Sequence, residues 1–390
     1  AILYIYNDGL TLFIFFDINN TETNFFLIFL SLIPRPFMDL YGFVTTKSSP
    51  STTLSRANLK KKENADKQFV NSLGAIGGLQ NIHHPTSEQG FAAMELLLLP
   101  VSFANLAYQG FPAAFRPSVW TQLINSSRSQ KTHPNPPIFD TETQIIPDDI
   151  KTQIANDVDR TFPNHEKFKP GSEGLHKLTK VLTQIALSLP QIGYCQGLNF
   201  IVGMISIFFD ENESFNVAIA MINSVPSDYF SPTMLDIHAD VLVFEHLLRD
   251  FTPALHTHFR KLEFQAAVIV NSWFVSLFVG GSFTTTFTLR IWDCIFFSFD
   301  SPNVLIRIML QLFNQFERDL MKLKTYNEIF RFVERLGDHV TAENTNEIIK
   351  KAMNMGKPWS FFSKRVDVDE KIAKLRKRYR EKLEEAKISE

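Results

Sequence analysis

The middle of the chain, between about residues 91 and 322, carries apolar side chains at every third or fourth position. This spacing restricts the fold more than any other feature, because it matches the roughly 3.6-residue turn of an amphipathic α-helix. One stripe consists of Met234, Ile237, Val241, Phe244 and Leu248. Another, which ends before a proline, consists of Leu175, Leu178, Leu182 and Ile185. Alternating strand patterns are nearly absent here, so the sequence predicts an all-α domain of many short helices.

Two segments of different composition precede this helical region. Residues 1–37 hold seven phenylalanines and four charged side chains, and their apolar runs are shorter than the ~18–20 residues that span a bilayer. We interpret this hydrophobic segment as sequence upstream of a start at Met38, with membrane contact, disorder or packing on the domain as alternatives. Residues 38–108 form an N-terminal region that we expect to be largely a flexible linker, because its polar part cannot bury enough apolar surface to fold alone.

Residues 323–390 are predicted to form a C-terminal helical extension. Within it, residues 367–388 begin with acidic and continue with basic side chains, an order that suits the helix dipole. Apolar and aromatic positions near heptad spacing persist for only about two to three heptads. They are Ile372, Leu375, Tyr379 and Ala386. We expect a solvated helix on the surface of the domain, with a partner helix as the alternative.

The charge balance and the cysteine content exclude some classes of protein. Lysine and arginine total 39 against 41 aspartates and glutamates, which gives a formal net charge of −2. This balance argues against a protein that coats nucleic acid, and we expect no nucleic-acid partner. Two cysteines, Cys195 and Cys294, cannot form a disulfide framework and are expected to be core thiols in a reducing compartment.

Several common catalytic and metal-binding motifs are absent from the sequence. The glycine-rich stretch 74–78 lacks the Lys-Ser/Thr pair of a phosphate-binding loop. No H-E-x-x-H or C-x-x-C motif occurs, and the histidine pairs at 83–84 and 256–258 lack nearby zinc ligands. No G-x-S-x-G nucleophile motif is present either. We therefore expect no metal site, no cofactor of the chain's own and no self-contained hydrolase activity.

Two polar stretches have features that suit phosphoryl transfer. Asp157 and Arg160 lie three residues apart, with Arg160 in the last turn of a predicted helix, so they share a face and can pair near the rim. Gln196 lies between Gly193 and Gly197, which permit a tight turn. An arginine and a glutamine held on turns can stabilise phosphoryl-transfer charge and orient a water. From spacing alone, a surface ion pair and a structural turn residue are the simpler interpretations.

The two stretches also belong to a longer series of ordered motifs. Two of them read Ile154-x-x-Asp157-x-x-Arg160 and Tyr194-x-Gln196. The others are Gly110–Pro112, Arg116–Trp120, Arg160–Pro163, Gly193–Asn199, Tyr229–Met234, Trp273 and Arg290–Asp293. In this order and number they resemble the TBC-domain family of Rab GTPase-activating proteins, whose signatures are I-x-x-D-x-x-R and Y-x-Q. The resemblance implies an all-α TBC domain, which we predict to span residues 109–322.

The resemblance also implies a mechanism in which two side chains act on a partner. Arg160 would neutralise charge on the γ-phosphate of GTP bound to a Rab, and Gln196 would position the attacking water in place of the GTPase's own glutamine. Asp157 would hold Arg160 in its rotamer, whereas Tyr194 and Asn199 would shape the turn that carries Gln196. GTP and magnesium would be bound by the partner GTPase and not by this chain.

The implied partner is a GTP-bound Rab-family GTPase, and the implied location is cytoplasmic and peripheral to endomembranes, with peripheral membrane association. A catalytically silent TBC scaffold or GTPase-binding module is the alternative, and the presence of both side chains favours catalysis.

Other residues of the matched motifs are expected to be structural. The three tryptophans should lie in the core, and Asp293 should pair with Arg290 or Arg116. Residues 280–286 lack the apolar-proline start expected before the Arg-x-Trp-Asp helix, so we expect weaker packing there.

Overall fold

The computed structural model describes residues 2–7, 10–15, 37–38, 44–45, 107–130, 146–355 and 368–388. Most of the hydrophobic segment 1–37 and of the N-terminal region 38–108 lies outside the described residues, as do the glycine-rich stretch 74–78 and the histidine pair at 83–84. The interpretations of those segments therefore stay predictions.

Helices dominate the described residues, so the predicted all-α fold class is confirmed. The first six long helices are α1 (Arg116–Gln130), α2 (Asp148–Val158), α3 (Glu173–Ser188), α4 (Leu198–Ser206), α5 (Glu211–Ile222) and α6 (Leu235–Phe251). They are followed by α7 (Pro253–Lys261), α8 (Ala267–Val275), α9 (Thr285–Ser298) and α10 (Ser301–Gln315). The remaining helices are α11 (Glu317–Leu320), α12 (Tyr326–Glu334), α13 (Ala342–Met353) and α14 (Val368–Ile388). Short 3₁₀ turns occupy Glu166–Phe168 and Leu336–His339, and residues 107–109 are also helical.

Two short antiparallel strand pairs lie near the start of the chain, outside the region whose periodicity predicts helices. β1 (Ile2–Asn7) pairs with β2 (Leu10–Phe15) so that Asn7 faces Leu10. β3 (Phe37–Met38) pairs with β4 (Val44–Thr45). The hairpin signal was present in the sequence as Asp8-Gly9, a dipeptide typical of tight turns, between two short runs rich in β-branched and aromatic residues.

Side chains at the helix starts explain where several helices begin. Ser172, Asp210 and Thr284 each accept a hydrogen bond from a backbone N–H in the first turn of α3, α5 and α9. Thr325 and Thr341 do the same for α12 and α13, each within a reciprocal capping box. These contacts satisfy N–H groups that would otherwise lack a partner at the helix ends.

One hydrophobic core extends through the described residues, from Ala107 to Leu375. The predicted apolar stripes of α3 and α6 face this core. The tryptophans of the matched motifs are also buried, as predicted, and the rings of Trp120 and Trp292 lie 6.0 Å apart. None of the described helices has both the length and the apolar character needed to cross a bilayer.

Asp293 of α9 connects the first helix to the centre of the fold. Arg116 donates to both carboxylate oxygens, at 2.9 and 3.0 Å. The indole N–H of Trp120 and the backbone N–H of Phe111 donate at 3.0 and 3.1 Å. Arg290 Nη1 lies 3.6 Å from the same carboxylate. Asp293 therefore pairs with both predicted arginines.

The turn before α9 packs against the core at Phe283, whereas Gly280 and Gly281 are exposed, so the expectation of weaker packing there stays a prediction. The ring of Phe283 is buried, with its centroid 5.2 Å from that of Trp273 and 5.3 Å from that of Phe287. The Thr284 hydroxyl accepts from the backbone N–H of Phe287 at 3.2 Å. Aromatic packing and a threonine cap thus replace the expected apolar-proline start.

Helix α14 lies along α6, which is the first of the two alternatives predicted for residues 367–388. Ile372 and Leu375 are buried against the core. Beside them, Arg376 donates to Asp240, and Arg380 Nη1 donates to Asp236 at 3.0 Å. The first half of the apolar stripe is therefore covered within the chain itself, whereas Ala386 at its end is exposed.

Candidate functional site

Helix α2 leads directly to two of the predicted site residues. Its first turn holds Asp148 and Asp149, whose charges suit the positive end of the helix dipole. Ile154 is buried and anchors the helix in the core, as predicted. The helix ends at Val158, so Arg160 lies in the turn just beyond it and not in its last turn.

Aromatic packing fixes the turn after α2. The backbone of Phe162 has a φ of 47°, a left-handed value that residues other than glycine rarely adopt. Its ring meets the rings of Phe168 and Phe200 edge to face, at centroid distances of 5.6 and 5.7 Å. Because Phe200 lies on α4, this contact joins the end of α2 to the helix that follows Gln196.

Two glycines shape the turn that carries Gln196. Gly193 and Gly197 have φ values of 58° and 108°. A Cβ added to Gly197 would lie 2.7 Å from Cγ1 of Val275, so the close approach of α8 also requires glycine there. Helix α4 begins directly after this turn, and Gln196 is half-buried at its edge.

The carboxylate of Asp157 is shared between the two stretches. Its Oδ1 accepts a charge-assisted hydrogen bond from Nη2 of Arg160. Its Oδ2 accepts a hydrogen bond from the Tyr194 hydroxyl at 2.6 Å. Burial, together with the neighbouring carboxylate, raises the pKa of Tyr194 well above its ordinary value, so the hydroxyl keeps its proton and acts as a donor. The predicted pairing of Asp157 with Arg160 is therefore present, and Tyr194 contacts that pair.

A second connection between the stretches runs through Asn199. Its Nδ2 donates to the backbone oxygen of Asp157 at 3.3 Å and to the Thr161 hydroxyl at 2.8 Å. Its Oδ1 accepts the backbone N–H of Gly197 at 3.1 Å. Asn199 and Thr161 are fully buried, so no water competes for these hydrogen bonds. Asn199 thus contacts both the end of α2 and the turn beside Gln196.

Cys195 lies inside the turn between Tyr194 and Gln196. Its thiol is 3.6 Å from the backbone oxygen of Gln196, and burial raises its pKa to about 12. Such a thiol carries little of the thiolate that nucleophilic chemistry needs at neutral pH. The residue is half-buried against the hydrophobic core, so the expectation of a core thiol is met only in part.

The five predicted site residues therefore lie on two adjoining segments. Asp157 and Arg160 lie on the first segment, and Tyr194, Gln196 and Asn199 lie on the second. Thr161, which completes the hydrogen bonds of Asn199, was not among the predicted residues. Its position directly after Arg160 in the matched motif was the available signal, but a threonine beside a charged residue suggests no role by itself.

The arrangement presents two polar groups of different chemistry to solvent. The side chain of Arg160 is 20% exposed, while its carboxylate partner is 6% exposed. A guanidinium can donate parallel hydrogen bonds to phosphate oxygens. The carboxamide of Gln196 can both donate to and accept from a water. In the part of the chain that the structure describes, no three His, Cys, Asp or Glu side chains converge as metal ligands.

Solved structures of similar fold exist. A flagellar RabGAP TBC domain of Chlamydomonas superposes with a TM-score of 0.60 at 19% identity, over 82% of this chain and 99% of that one. The Ypt/Rab-GAP domain of Gyp1p gives 0.57 at 16% identity, over 74% of this chain and 97% of that one. At these identities the likeness shows a shared fold alone.

Similar full-length proteins carry TBC names. TBC1 domain family member 2B of Mus musculus is 33% identical over 59% of this chain and 24% of its own length. TBC1 domain family member 2A of Homo sapiens is 28% identical over 91% of this chain and 36% of its own length. The chain thus spans about a quarter to a third of the length of these relatives. The profile of the Rab-GTPase-TBC domain matches residues 113–321, more than half of the chain. The chain belongs to the Rab-GTPase-TBC domain family.

Proposed function

We propose that the chain is a GTPase-activating protein for a Rab-family GTPase, to which it supplies Arg160 and Gln196 in trans. The observation that carries the proposal is the buried hydrogen-bond network joining the two segments that bear these side chains. The names of similar proteins support it: eat-17 of Caenorhabditis elegans, 29% identical over 235 residues, is named a Rab GTPase-activating protein.

Arg160 is the proposed arginine finger. In phosphoryl transfer, negative charge spreads over the γ-phosphate oxygens in the transition state, and an arginine supplied in trans accelerates the reaction by about 10³–10⁵-fold. That factor corresponds to roughly 4–7 kcal/mol of transition-state stabilisation. The hydrogen bond to Asp157 restricts the guanidinium before any partner arrives, so less entropy is lost when it enters the GTPase site.

Gln196 is the proposed glutamine finger. Its carboxamide would orient the attacking water, a task that the GTPase's own glutamine would otherwise perform. Gly193 and Gly197 shape the backbone of the turn that carries Gln196. The side-chain oxygen of Asn199 accepts the backbone N–H of Gly197, the residue after Gln196. We assign supporting roles to three neighbours of the two fingers. Asp157 binds both Arg160 and Tyr194, and Asn199 binds the backbone beside Gln196.

The remaining parts of the reaction would come from the partner. GTP and magnesium would be bound by the Rab, which leaves this chain to supply charge and positioning alone. A Rab partner further implies that the chain works in the cytoplasm at the surface of endomembranes. Fractionation of cells that express the full chain tests this location: we expect part of it on membranes when the responding Rab is loaded with GTP.

The test of the proposed function is GTP hydrolysis under single-turnover conditions. The full chain is added to a panel of GTP-loaded Rabs beside the Arg160→Ala and Gln196→Ala variants. We expect it to accelerate hydrolysis by one or a few Rabs, and each variant to lose most of that acceleration while it keeps the unfolding midpoint of the parent chain.

The alternative function is a silent scaffold or GTPase-binding module. A folded chain that binds a Rab without accelerating hydrolysis across a broad panel would support it. Acceleration that survives in both variants would contradict the roles given to Arg160 and Gln196.

A further inference from the structure

Thr161 is a fully buried residue between the two segments of the site. It directly follows Arg160, and its backbone N–H donates to the oxygen of Val158 at 3.0 Å. Its hydroxyl donates to the backbone oxygen of Asp157 at 2.7 Å and accepts from Nδ2 of Asn199 at 2.8 Å. The hydroxyl therefore uses both its donor and its acceptor capacity inside the protein.

The Thr161 hydroxyl completes a chain of hydrogen bonds in which each proton has an assigned acceptor. The Asn199 amide nitrogen donates to Asp157 and Thr161, which leaves the amide oxygen to accept the backbone N–H of Gly197. The chain thus begins at the backbone before Arg160 and ends at the backbone after Gln196. It therefore spans the space between the two segments.

The methyl group of Thr161 has a separate task. A Cβ added to Gly203 of α4 would lie 2.9 Å from Cγ2 of Thr161, so the methyl rests directly on that helix. The hydroxyl and the methyl therefore bind different partners. A valine keeps the branched shape and removes the hydroxyl, whereas a serine keeps the hydroxyl and removes one methyl.

We propose that Thr161 is a positioning residue whose hydroxyl fixes the position of the Gln196 turn relative to Arg160. Its effect on hydrolysis rests on the proposed function, but its effect on the turn does not. Thr161 touches neither the partner nor the reacting atoms in this proposal, because it is fully buried. It acts through Asn199 on the backbone that carries Gln196.

The first test measures the turn without reference to activity. Cys195 is half-buried within the turn, so its labelling reports how accessible the turn is, whereas Cys294 is buried in α9 and reports general opening of the same molecule. The full chain and its Thr161→Val, Thr161→Ala and Thr161→Ser variants are treated with DTNB, and labelling of each cysteine is followed by peptide mass spectrometry. Thermal unfolding of each variant is measured in parallel.

We expect Thr161→Val and Thr161→Ala to label Cys195 roughly tenfold faster than the parent chain, the factor expected when one buried hydrogen bond no longer opposes local opening. Thr161→Ser should label Cys195 at close to the parent rate, and Cys294 should stay protected in all variants. The alanine variant keeps the test decisive if valine prevents folding. Equal labelling of Cys195 in every variant would overturn the proposal, as would a rise at Cys294 that matches the rise at Cys195.

The second test applies to a Rab that the parent chain activates. We expect Thr161→Val to lower kcat for stimulated hydrolysis roughly tenfold, with KM for the Rab nearly unchanged, and Thr161→Ser to restore kcat. If Thr161→Val labels Cys195 faster but keeps a normal kcat, the position of the turn does not affect catalysis. That result would overturn the positioning role. If the parent chain activates no Rab, the proposed function fails, and the thiol test still decides what Thr161 does to the turn.

Discussion

Asp157 joins the two halves of the candidate site at the scale of single residues. One carboxylate oxygen binds Arg160 and the other binds Tyr194, and the residue is only 5% exposed. Because water has little access to this carboxylate, no water can take the place of Arg160 or Tyr194 when either donor is removed. Loss of the hydrogen bond from Tyr194 should therefore change how firmly Asp157 holds Arg160.

Tyr194→Phe tests this connection. The variant removes the hydroxyl and leaves Oδ2 of a buried carboxylate without its donor at 2.6 Å. We expect the free energy of unfolding in urea to fall by about 1–3 kcal/mol, and stimulated GTP hydrolysis to fall because Arg160 is less restrained. Tyr326→Phe is the matched control, because that side chain is 38% exposed and lies outside the site. An unchanged rate together with unchanged stability would contradict the role of Tyr194.

The two cysteines give a prediction about pH. Burial raises the pKa of both Cys195 and Cys294 to about 12, above the ordinary value of about 8.5. A raised pKa leaves less thiolate, so at pH 8 the native chain should react with DTNB far more slowly than the chain in guanidinium. The rate for the native chain should stay below the rate for the unfolded chain from pH 8 to pH 10, because burial leaves less reactive thiolate throughout this range. Equal rates for the native and the unfolded chain at pH 8 would contradict the assigned burial.

At the scale of elements, α14 is attached to α6 by buried charge as well as by apolar packing. Arg376 donates to Asp240, whose side chain is fully buried, and Arg380 donates to Asp236. Burial of a carboxylate is tolerated only with a partner, so each arginine is part of the docking of the helix. The heptad stripe predicted from the sequence does not identify α6 as the helix against which α14 packs.

Arg376→Ala tests the docking of α14. Burial raises the pKa of Asp240 to about 7, so the measurement is made at pH 8, where its carboxylate is charged. The substitution then leaves Asp240 buried without its charge partner, and we expect it to lower the free energy of unfolding by about 3–5 kcal/mol. Lys374→Ala is the control on the same helix, because Lys374 forms an exposed pair with Glu370 and its loss should not change the unfolding midpoint. Equal midpoints for the two variants, measured in urea, would refute the assigned contribution of the buried pair.

The helices were predictable from the sequence because their signals are local. The stripes of α3 and α6, and the proline that follows the stripe of α3, all depend on residues close in the chain. The helix pairings were not predictable, because α14 meets α6 through residues more than 100 positions apart. The β1–β2 hairpin was missed because its only strong signal, Asp8-Gly9, lies in a segment that we judged by its apolar length.

The candidate site was predictable in part for the same reason. The ion pair between Asp157 and Arg160 follows from a three-residue spacing, and the glycine turn around Gln196 follows from composition. The hydrogen bonds from Tyr194 and Asn199 to Asp157 cross 37 and 42 residues of chain, and no local pattern encodes them. The family resemblance named those residues, whereas their contacts came only from the structure.

At the scale of the whole molecule, the core does not stop at the predicted domain boundary of residue 322. Ile329 and Ile348 belong to the same hydrophobic cluster as the helices of residues 113–321. Buried Arg307 donates to Asp369 and to the backbone oxygen of Met355, both beyond that boundary. The division into residues 109–322 and 323–390 stays a prediction made from the sequence, whereas the hydrophobic core continues across the boundary between them.

Truncation tests this continuity. We expect residues 107–388 to unfold cooperatively, and a fragment of residues 113–321 to be insoluble or to lack a cooperative transition, because it exposes apolar surface that α12, α13 and α14 cover. Circular dichroism during heating distinguishes the two results. A fragment of residues 113–321 that melts at the midpoint of the longer one would show that the later helices are dispensable for folding.

The central claim is that Arg160 and Gln196 act together on GTP held by a partner. The most direct test uses the responding Rab after its own catalytic glutamine has been replaced by alanine, with GTP hydrolysis measured in a single turnover. The account predicts that the full chain still accelerates this Rab variant, and that Gln196→Ala and Arg160→Lys each abolish the acceleration. Loss of all acceleration when the Rab lacks its glutamine, or acceleration that persists with Gln196→Ala, would contradict the account.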